Sequence, residues 1–530
     1  MTLLERASSN KAGTSLSIFL TNAGHGGVRG VVYLAATLVL IPLLMNSLGK
    51  QQFAILALVT PFLRYGFNGV FDFGIATGIV RHTSQSVAAS DTERTNGYVS
   101  SSMALYLAFG AALVCLYYLF GGSLMRLVVR NDEEFYGSAR IVFERAVWTY
   151  LLFSLSNPFF AVLMGVQKLE ATHWIGTASL LIELGGVLVL IPVGVTVSRV
   201  MWVYGVNAAF SLVFSAFLAR RYFPALRLGW RFVSWPGIKK MLGYGARYSP
   251  TTLAAMLGPV FDKLILARFV GLSTVALYEG AARLAELSRR VTQLFLLPLL
   301  PIAGARQETH TETERHTFYV RTFSANLLVS CALYLIPASL AFGIFRLWLG
   351  PDSRLGTIAF IVLSFTVFCQ ALAIPIGTIF AGIGRLRPIM ATSLLGLLAN
   401  VIVSPALAYY FGFVGVLAGT AIAYGLVSLV FLVWSFSIPE FAISGRVLFR
   451  LGGPSILAAL VPGILLTATL RLTEATPGWF KLLLAALIAG GIFVATLLVQ
   501  ADPRRMILRV IQQIREGAGF EWSKRKLSNA

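Results

Sequence analysis

The fold class this sequence predicts is an all-α polytopic membrane protein, with about fourteen membrane-spanning helices in two six-helix lobes and a C-terminal helix pair. Three observations predict it. Apolar runs of about 20 residues, enough for a helix to cross a hydrocarbon core about 30 Å thick, recur along all 530 residues. Hydrophobic residues make up 57% of the chain and charged ones only 12%, giving a mean hydropathy of +0.77. Finally, the formal net charge of +21 is spread over short connections and a tail, the distribution that orients a membrane protein. No nucleic-acid recognition motif accompanies that charge, so nucleic acid is not an expected partner.

After a polar start, in which Ser15–Ala23 is a candidate interfacial segment, the first span is Val28–Leu48, with Arg29 at its entrance. No cleavable signal peptide is expected, because residues 1–27 lack a compact apolar core before a small-residue cleavage site. Phe53–Val80 is the second span and contains Arg64 and Asp72. Tyr98–Phe120, Ile141–Val166, Trp174–Val195 and Val200–Ala219 follow. A basic connection then carries Arg220, Arg221, Arg227, Arg231, Lys239 and Lys240, with Pro224, Pro236 and two tryptophans as interface anchors, and it reads as the joint between halves.

Beyond it, Met241–Arg306 holds two spans joined at Phe269-Val270-Gly271 by almost no loop. Phe318–Phe345, Thr357–Ala381, Pro388–Tyr410, Val414–Phe436, Gly452–Leu472 and Trp479–Val499 complete the set. The expected organisation is an N-terminal lobe at 1–235, a C-terminal lobe at 236–440, an extra helix pair at 441–500 and a basic amphipathic tail at 501–530. With both termini cytoplasmic, the inside segments hold about 24 Lys and Arg and the outside ones about 9. That contrast predicts a multi-pass protein of the cell's inner membrane with its termini inside.

A short internal repeat relates the halves. Leu48-Gly49 then Phe53-Ala54 follows the first span, and Val270-Gly271 then Val275-Ala276 follows the seventh, at the same spacing. Duplicated halves are common in transporters, and their substrate sites tend to lie between repeats.

The residues that carry chemistry are those charged where lipid is expected. A charged residue at a span centre costs roughly 2.5–3.5 kcal/mol on insertion scales, so it faces protein or a watery cavity and marks a transport path. Glu279, Arg283, Glu286 and Arg290 are spaced i, i+4, i+7, i+11, one stripe with each Glu four residues before an Arg. Read structurally, this is an ion-pair ladder; read functionally, it lines a cavity where arginines exchange carboxylates for an anionic substrate. Arg29, Arg64, Arg247 and Arg283 lie on the first two spans of each half and are the candidate substrate contacts, because guanidinium groups suit phosphate. Arg29 and Arg247, near span ends, also have snorkelling as an alternative. Asp72, Asp262, Glu279 and Glu286 are candidates for binding a coupling proton or cation, or for serving as counter-charges. Asp262 and Lys263 project about 100° apart and cannot share one partner. Pro259, Pro298 and Pro301 are candidate kinks. Three cysteines and five dispersed histidines offer no disulfide framework or metal-ligand spacing, and no cofactor is expected.

The segments IPLLMNSLGKQQFAILAL, VFDFGIATGIVR, FDKLILARFVGLSTVALYEGAARL and LLPLLPIAGARQ resemble those of the polysaccharide-export flippases of the Wzx type. Those flippases belong to the superfamily that also includes multidrug and toxin extruders and lipid II flippases. The resemblance implies two six-helix lobes, an extra helix pair, and alternating access that moves a polyprenyl-pyrophosphate-linked oligosaccharide from inner to outer leaflet. It also implies membrane lipids and polysaccharide-assembly enzymes as partners, and a cationic cavity to which Arg29, Arg64 and Arg283 correspond by span and depth. Glu279 and Glu286 make this stripe less cationic than in the lipid II flippases. A multidrug extruder is the nearest rival, followed by a solute permease and by a polytopic polymerase or glycosyltransferase. The longest outer connection, Gly121–Arg140, is short for a catalytic loop.

Overall fold

The computed structural model describes residues 29–64, 75–129, 133–296, 299, 311–472 and 478–499. Helices dominate them and no strand occurs among the described residues. Ten described helices are long and apolar enough to cross a membrane, so the chain is an all-α multi-pass membrane protein. It divides into two compact units, Met1–Gly280 with Ser404–Val416, and Ala281–Val403 with Leu417–Ala530.

In the first unit, α1 (Arg29–Leu48) and α2 (Lys50–Arg64) meet at a one-residue turn, and α3 (Ile75–Ala88) and α4 (Thr92–Val129) follow. Next come α5 (Glu133–Gly165), α6 (Leu169–Leu190), α7 (Val197–Tyr222) and α8 (Trp235–Phe269). Helix α5 is the hub, touching α2, α3, α4, α6 and α7. Its buried Phe159, Val162 and Leu163 pack with Val99 of α4, Ile175 of α6 and Ala219 of α7. Local sequence sets the start of α8: the Ser234 hydroxyl accepts from the Gly237 N–H, and Pro236 falls in the first turn, where its missing N–H costs nothing.

Helix α9 (Leu272–Leu296) contains the division between the units, at Gly280 and Ala281. The chain continues with α10 (Glu312–Ser339), α11 (Ala341–Leu349), α12 (Arg354–Gly382) and a 50-residue apolar run, Leu386–Ser435, of which Ser404–Val416 belongs to the first unit. That run is two helices, α13 (386–411) and α14 (413–435), because Gly412 leaves helical geometry at φ +57°. Gly415 then lies so close to the Leu407 carbonyl that no Cβ fits. The break agrees with the sequence expectation of separate spans ending at Tyr410 and starting at Val414. Helices α15 (Gly445–Leu472) and α16 (Trp479–Val499) pair with each other. Helix α10 begins with a capping box, in which the Thr311 hydroxyl accepts from the Glu314 N–H and the Glu314 carboxylate accepts from the Thr311 N–H. Aromatic packing of Tyr319, Phe323, Phe380, Phe431 and Phe441 fills the second unit's core.

Helices α8 and α9 are long enough to span but do not join the apolar ten. Their polar content is what the sequence singled out, so a total of fourteen is not read from apolar helices alone. The interfacial segment at 15–23, Asp72, Pro298, Pro301 and the tail at 501–530 lie outside the described residues.

Candidate functional site

The charged hairpin α8–α9 turns at Gly271, whose φ of +131° is open to glycine and strained for other residues. Both Lys263 and Glu279 lie eight residues from that glycine, one on each helix. The antiparallel helices therefore bring them to the same level. The Lys263 ammonium donates to Glu279 Oε2 at 2.9 Å and to the carbonyl of Ala57, on α2, at 2.7 Å. Beside this pair, the Tyr278 hydroxyl donates to Asp262 Oδ2 at 2.6 Å. Asp262 and Lys263 thus take adjacent partners on α9, as their 100° offset requires.

All four groups are removed from solvent, with Asp262 at 1%, Lys263 at 2%, Tyr278 at 2% and Glu279 at 5% exposure. Desolvating an ammonium and a carboxylate is repaid only by close geometry and further hydrogen bonds. Here the Ala57 carbonyl supplies a second acceptor for the lysine, and the phenol supplies a donor for Asp262. Eight residues from the turn, at about 1.5 Å per residue, set the cluster about 12 Å into the hairpin. Lys263 and Tyr278 were not among the sequence-derived site residues. For Lys263 the signal is its spacing of eight residues from Gly271, equal to that of Glu279 on the other side of the turn.

Arg283, one turn beyond Glu279, is buried at 7% exposure in the second unit. Glu286 receives two hydrogen bonds from Arg289, at 2.7 and 2.9 Å, a pair at i, i+3 that the i, i+4 stripe did not single out. Farther along α9, the Ser288 hydroxyl donates to the Leu333 carbonyl at 2.9 Å, and the hydroxyls of Thr292 and Tyr334 share a hydrogen bond of 2.9 Å. Leu333 and Tyr334 belong to a π turn, Cys331–Leu335, inside α10. Such a turn shifts the backbone ladder and leaves carbonyls to outside donors.

In the first unit, the guanidinium of Arg29 lies over Gly176 of α6, where an added Cβ would come within 2.6 Å of its Cζ. Glu183 of α6 is buried at 3% exposure. Arg64 ends α2 and Arg247 lies within α8, while the side chains of both fall outside the described residues. Among the described residues, no group of three or more His, Cys, Asp or Glu is placed to hold a metal ion.

The fold is a multi-helical membrane bundle with a buried ionic hairpin, and comparisons with known proteins show its family. Residues 25–303, just over half the chain, match the family described as "Polysaccharide biosynthesis protein". The chain belongs to that family. Among solved structures, "Lipid II flippase MurJ, inward closed conformation" is similar with a TM-score of 0.70 at 15% identity, covering 91% of this chain and 98% of that one. An inward-facing multidrug resistance MATE family transporter of the MOP superfamily has a TM-score of 0.64 at 15% identity, covering 76% of this chain and 93% of that one. A MOP superfamily transporter from Pyrococcus furiosus, described as having a binding pocket of reverse polarity, has a TM-score of 0.56 at 15% identity, covering 78% and 93%. Identities this low show the shared fold. Among curated proteins no sequence match was found.

Proposed function

We propose that the chain is a flippase that carries a polyprenyl-pyrophosphate-linked oligosaccharide from the inner to the outer leaflet, a transporter and not an enzyme. The observation that carries this reading is the burial of two cations, Lys263 and Arg283, on the charged hairpin of a chain from the polysaccharide biosynthesis family. In the proposed cycle Arg64 and Arg283 bind the pyrophosphate, and Arg29 and Arg247 complete the cationic path. Buried arginine suits this task because its planar fork holds phosphate oxygens in pairs. Asp72, Asp262, Glu279 and Glu286 act as counter-charges or take up a coupling proton or cation.

Alternating access requires the proposed lobes, 1–235 and 236–440, to separate and rejoin. The Lys263 bond to the Ala57 carbonyl ties α8 to α2 within the first compact unit. The protein sits in the inner membrane with both termini cytoplasmic, and its basic 220–240 connection is the docking face for polysaccharide-assembly enzymes.

The test is translocation of labelled lipid-linked oligosaccharide in vesicles by Arg64 and Arg283 variants, each to Ala and to Lys. The Ala variants lose at least 90% of the rate at normal protein levels, an effect of about 1.4 kcal/mol or more on the transport step, and the Lys variants keep part of it. Full activity in the Ala variants would sink the assignment. A cation extruder is the second reading, favoured by the buried acids Glu183, Asp262 and Glu279. Deleting the protein in its native cell separates the two. Lipid-linked repeat units stranded on the inner leaflet support the flippase, and drug sensitivity without a glycan defect supports the extruder.

A further inference from the structure

On the basic side of the first unit, the connection between α7 and α8 is tied down on α4 by side chains. Asn96 donates to the Ala225 carbonyl at 3.1 Å and accepts from the Arg227 N–H at 2.9 Å. The Ser100 hydroxyl accepts from the Gly229 N–H at 3.3 Å, and the Ser101 hydroxyl accepts from the Ser234 N–H at 3.0 Å. This clamp builds a cavity of about 420 Å³ whose walls include Arg94, Arg231 and Lys240.

Two of the cations of this cavity, Arg94 and Arg231, lie against aromatic rings. Arg94 donates through Nε to the Tyr98 hydroxyl at 3.2 Å, with its Cζ 5.6 Å from the centre of that ring. Arg231 stacks its guanidinium 4.6 Å from the centre of the Phe232 ring. Two acids also line the cavity, and the start of α4 accounts for both. Asp91 accepts from the Arg94 N–H at 2.9 Å, and Glu93 sits in the helix's first turn, where negative charge is favoured by the dipole. Arg94, Arg231 and Lys240 make no ion pair among the described residues.

Two further features specify the ligand. Trp230 and Trp235 flank the cavity at 74% and 70% exposure, the placement of tryptophans that anchor at a membrane interface. A second groove, lined by Trp235, Lys239, Leu242 and Gly243, runs along the neighbouring face of α8, since successive residues turn by about 100°. A cationic cavity beside a mostly apolar groove, flanked by two exposed tryptophans, matches a phosphate headgroup with an acyl chain attached.

We propose that this cavity binds the headgroup of an anionic phospholipid, with an acyl chain along Trp235 and Leu242, and that the bound lipid fastens the α7–α8 connection to α4. The site is independent of the substrate carried. It stands or falls whether or not the chain flips oligosaccharide.

The test is native mass spectrometry of the full chain in detergent, titrated with phosphatidylglycerol, phosphatidylcholine or glycerol 3-phosphate. Wild type retains one phosphatidylglycerol that phosphatidylcholine does not replace. The double variant Arg231→Gln, Lys240→Gln binds it about 30-fold more weakly, because each basic group near an anionic surface contributes about five-fold. Arg220→Gln with Arg221→Gln, in the last turn of α7 and outside the cavity, binds as wild type does. Melting temperatures equal to wild type show that each variant is folded. Leu242→Asp, which spoils the groove and leaves the cations, weakens the lipid and not glycerol 3-phosphate. Equal retention of phosphatidylglycerol by wild type and the double variant would overturn the site. Glycerol 3-phosphate displacing the lipid at equal concentration would overturn the lipid as its ligand.

Discussion

The two hairpins α1–α2 and α8–α9 share a backbone device and differ in what they do with it. Each turns on one glycine of positive φ, Gly49 at +79° and Gly271 at +131°. Each then enters its second helix with a buried pair at the same spacing, Phe53-Ala54 and Val275-Ala276. Eight residues from its glycine, α2 presents only the Ala57 carbonyl, whereas α8 and α9 present Lys263 and Glu279. One repeat supplies a backbone acceptor and the other supplies the charge that grips it. The two turns are alike, and the side chains at a single level differ. The ionic hairpin therefore depends on its charges, while the apolar one depends on shape.

Glu279→Ala tests that dependence hardest. It strands a buried ammonium and lowers stability by roughly 3–5 kcal/mol, read as thermal unfolding in detergent. The double change Lys263→Met with Glu279→Leu recovers most of the loss, since apolar residues of similar volume replace a buried pair at little cost. If the double change is as unstable as the single one, the charges are not the point of the hairpin. Tyr278→Phe removes a hydrogen bond to the Asp262 carboxylate and lowers stability by about 1.5–3 kcal/mol.

The turns themselves differ next. Gly49→Ala costs roughly 1–2 kcal/mol, because its φ lies near the left-handed helical region that an L residue reaches with modest strain. Gly271→Ala costs more, up to about 3 kcal/mol, because φ +131° lies in a region that side chains rarely occupy. Equal melting temperatures for the two would erase the distinction between the turns. The half-buried Glu286–Arg289 pair gives the smallest effect. Glu286→Gln shifts stability by about 1 kcal/mol or less.

The helices were legible in the sequence because each apolar run is its own signal. The expected span Trp479–Val499 coincides with α16, and Gly412 breaks the Leu386–Ser435 run where Tyr410 and Val414 bounded it. The charged residues of α8 and α9 were legible as anomalies, since charge in an apolar stretch stands out whatever its partner. The partners were less so. Helical spacing directs attention along one helix, from Glu279 to Arg283, whereas the Lys263 bond crosses the hairpin and is fixed by the turn geometry. Tyr278 was invisible for a different reason. A tyrosine in a span is ordinary until the carboxylate beside it is seen. The basic 220–240 connection read as a charged joint, but its cavity depends on Asn96, Ser100 and Ser101, more than a hundred residues away, and no local pattern marks them.

The measurement that bears most directly on the proposed function is leaflet exchange by the purified chain in vesicles loaded with labelled polyprenyl-pyrophosphate oligosaccharide on one face. A flippase exposes the labelled lipid on the opposite face far faster than protein-free vesicles do, and that is the expected result. No acceleration, together with uptake of a cationic drug by the same vesicles, would contradict it.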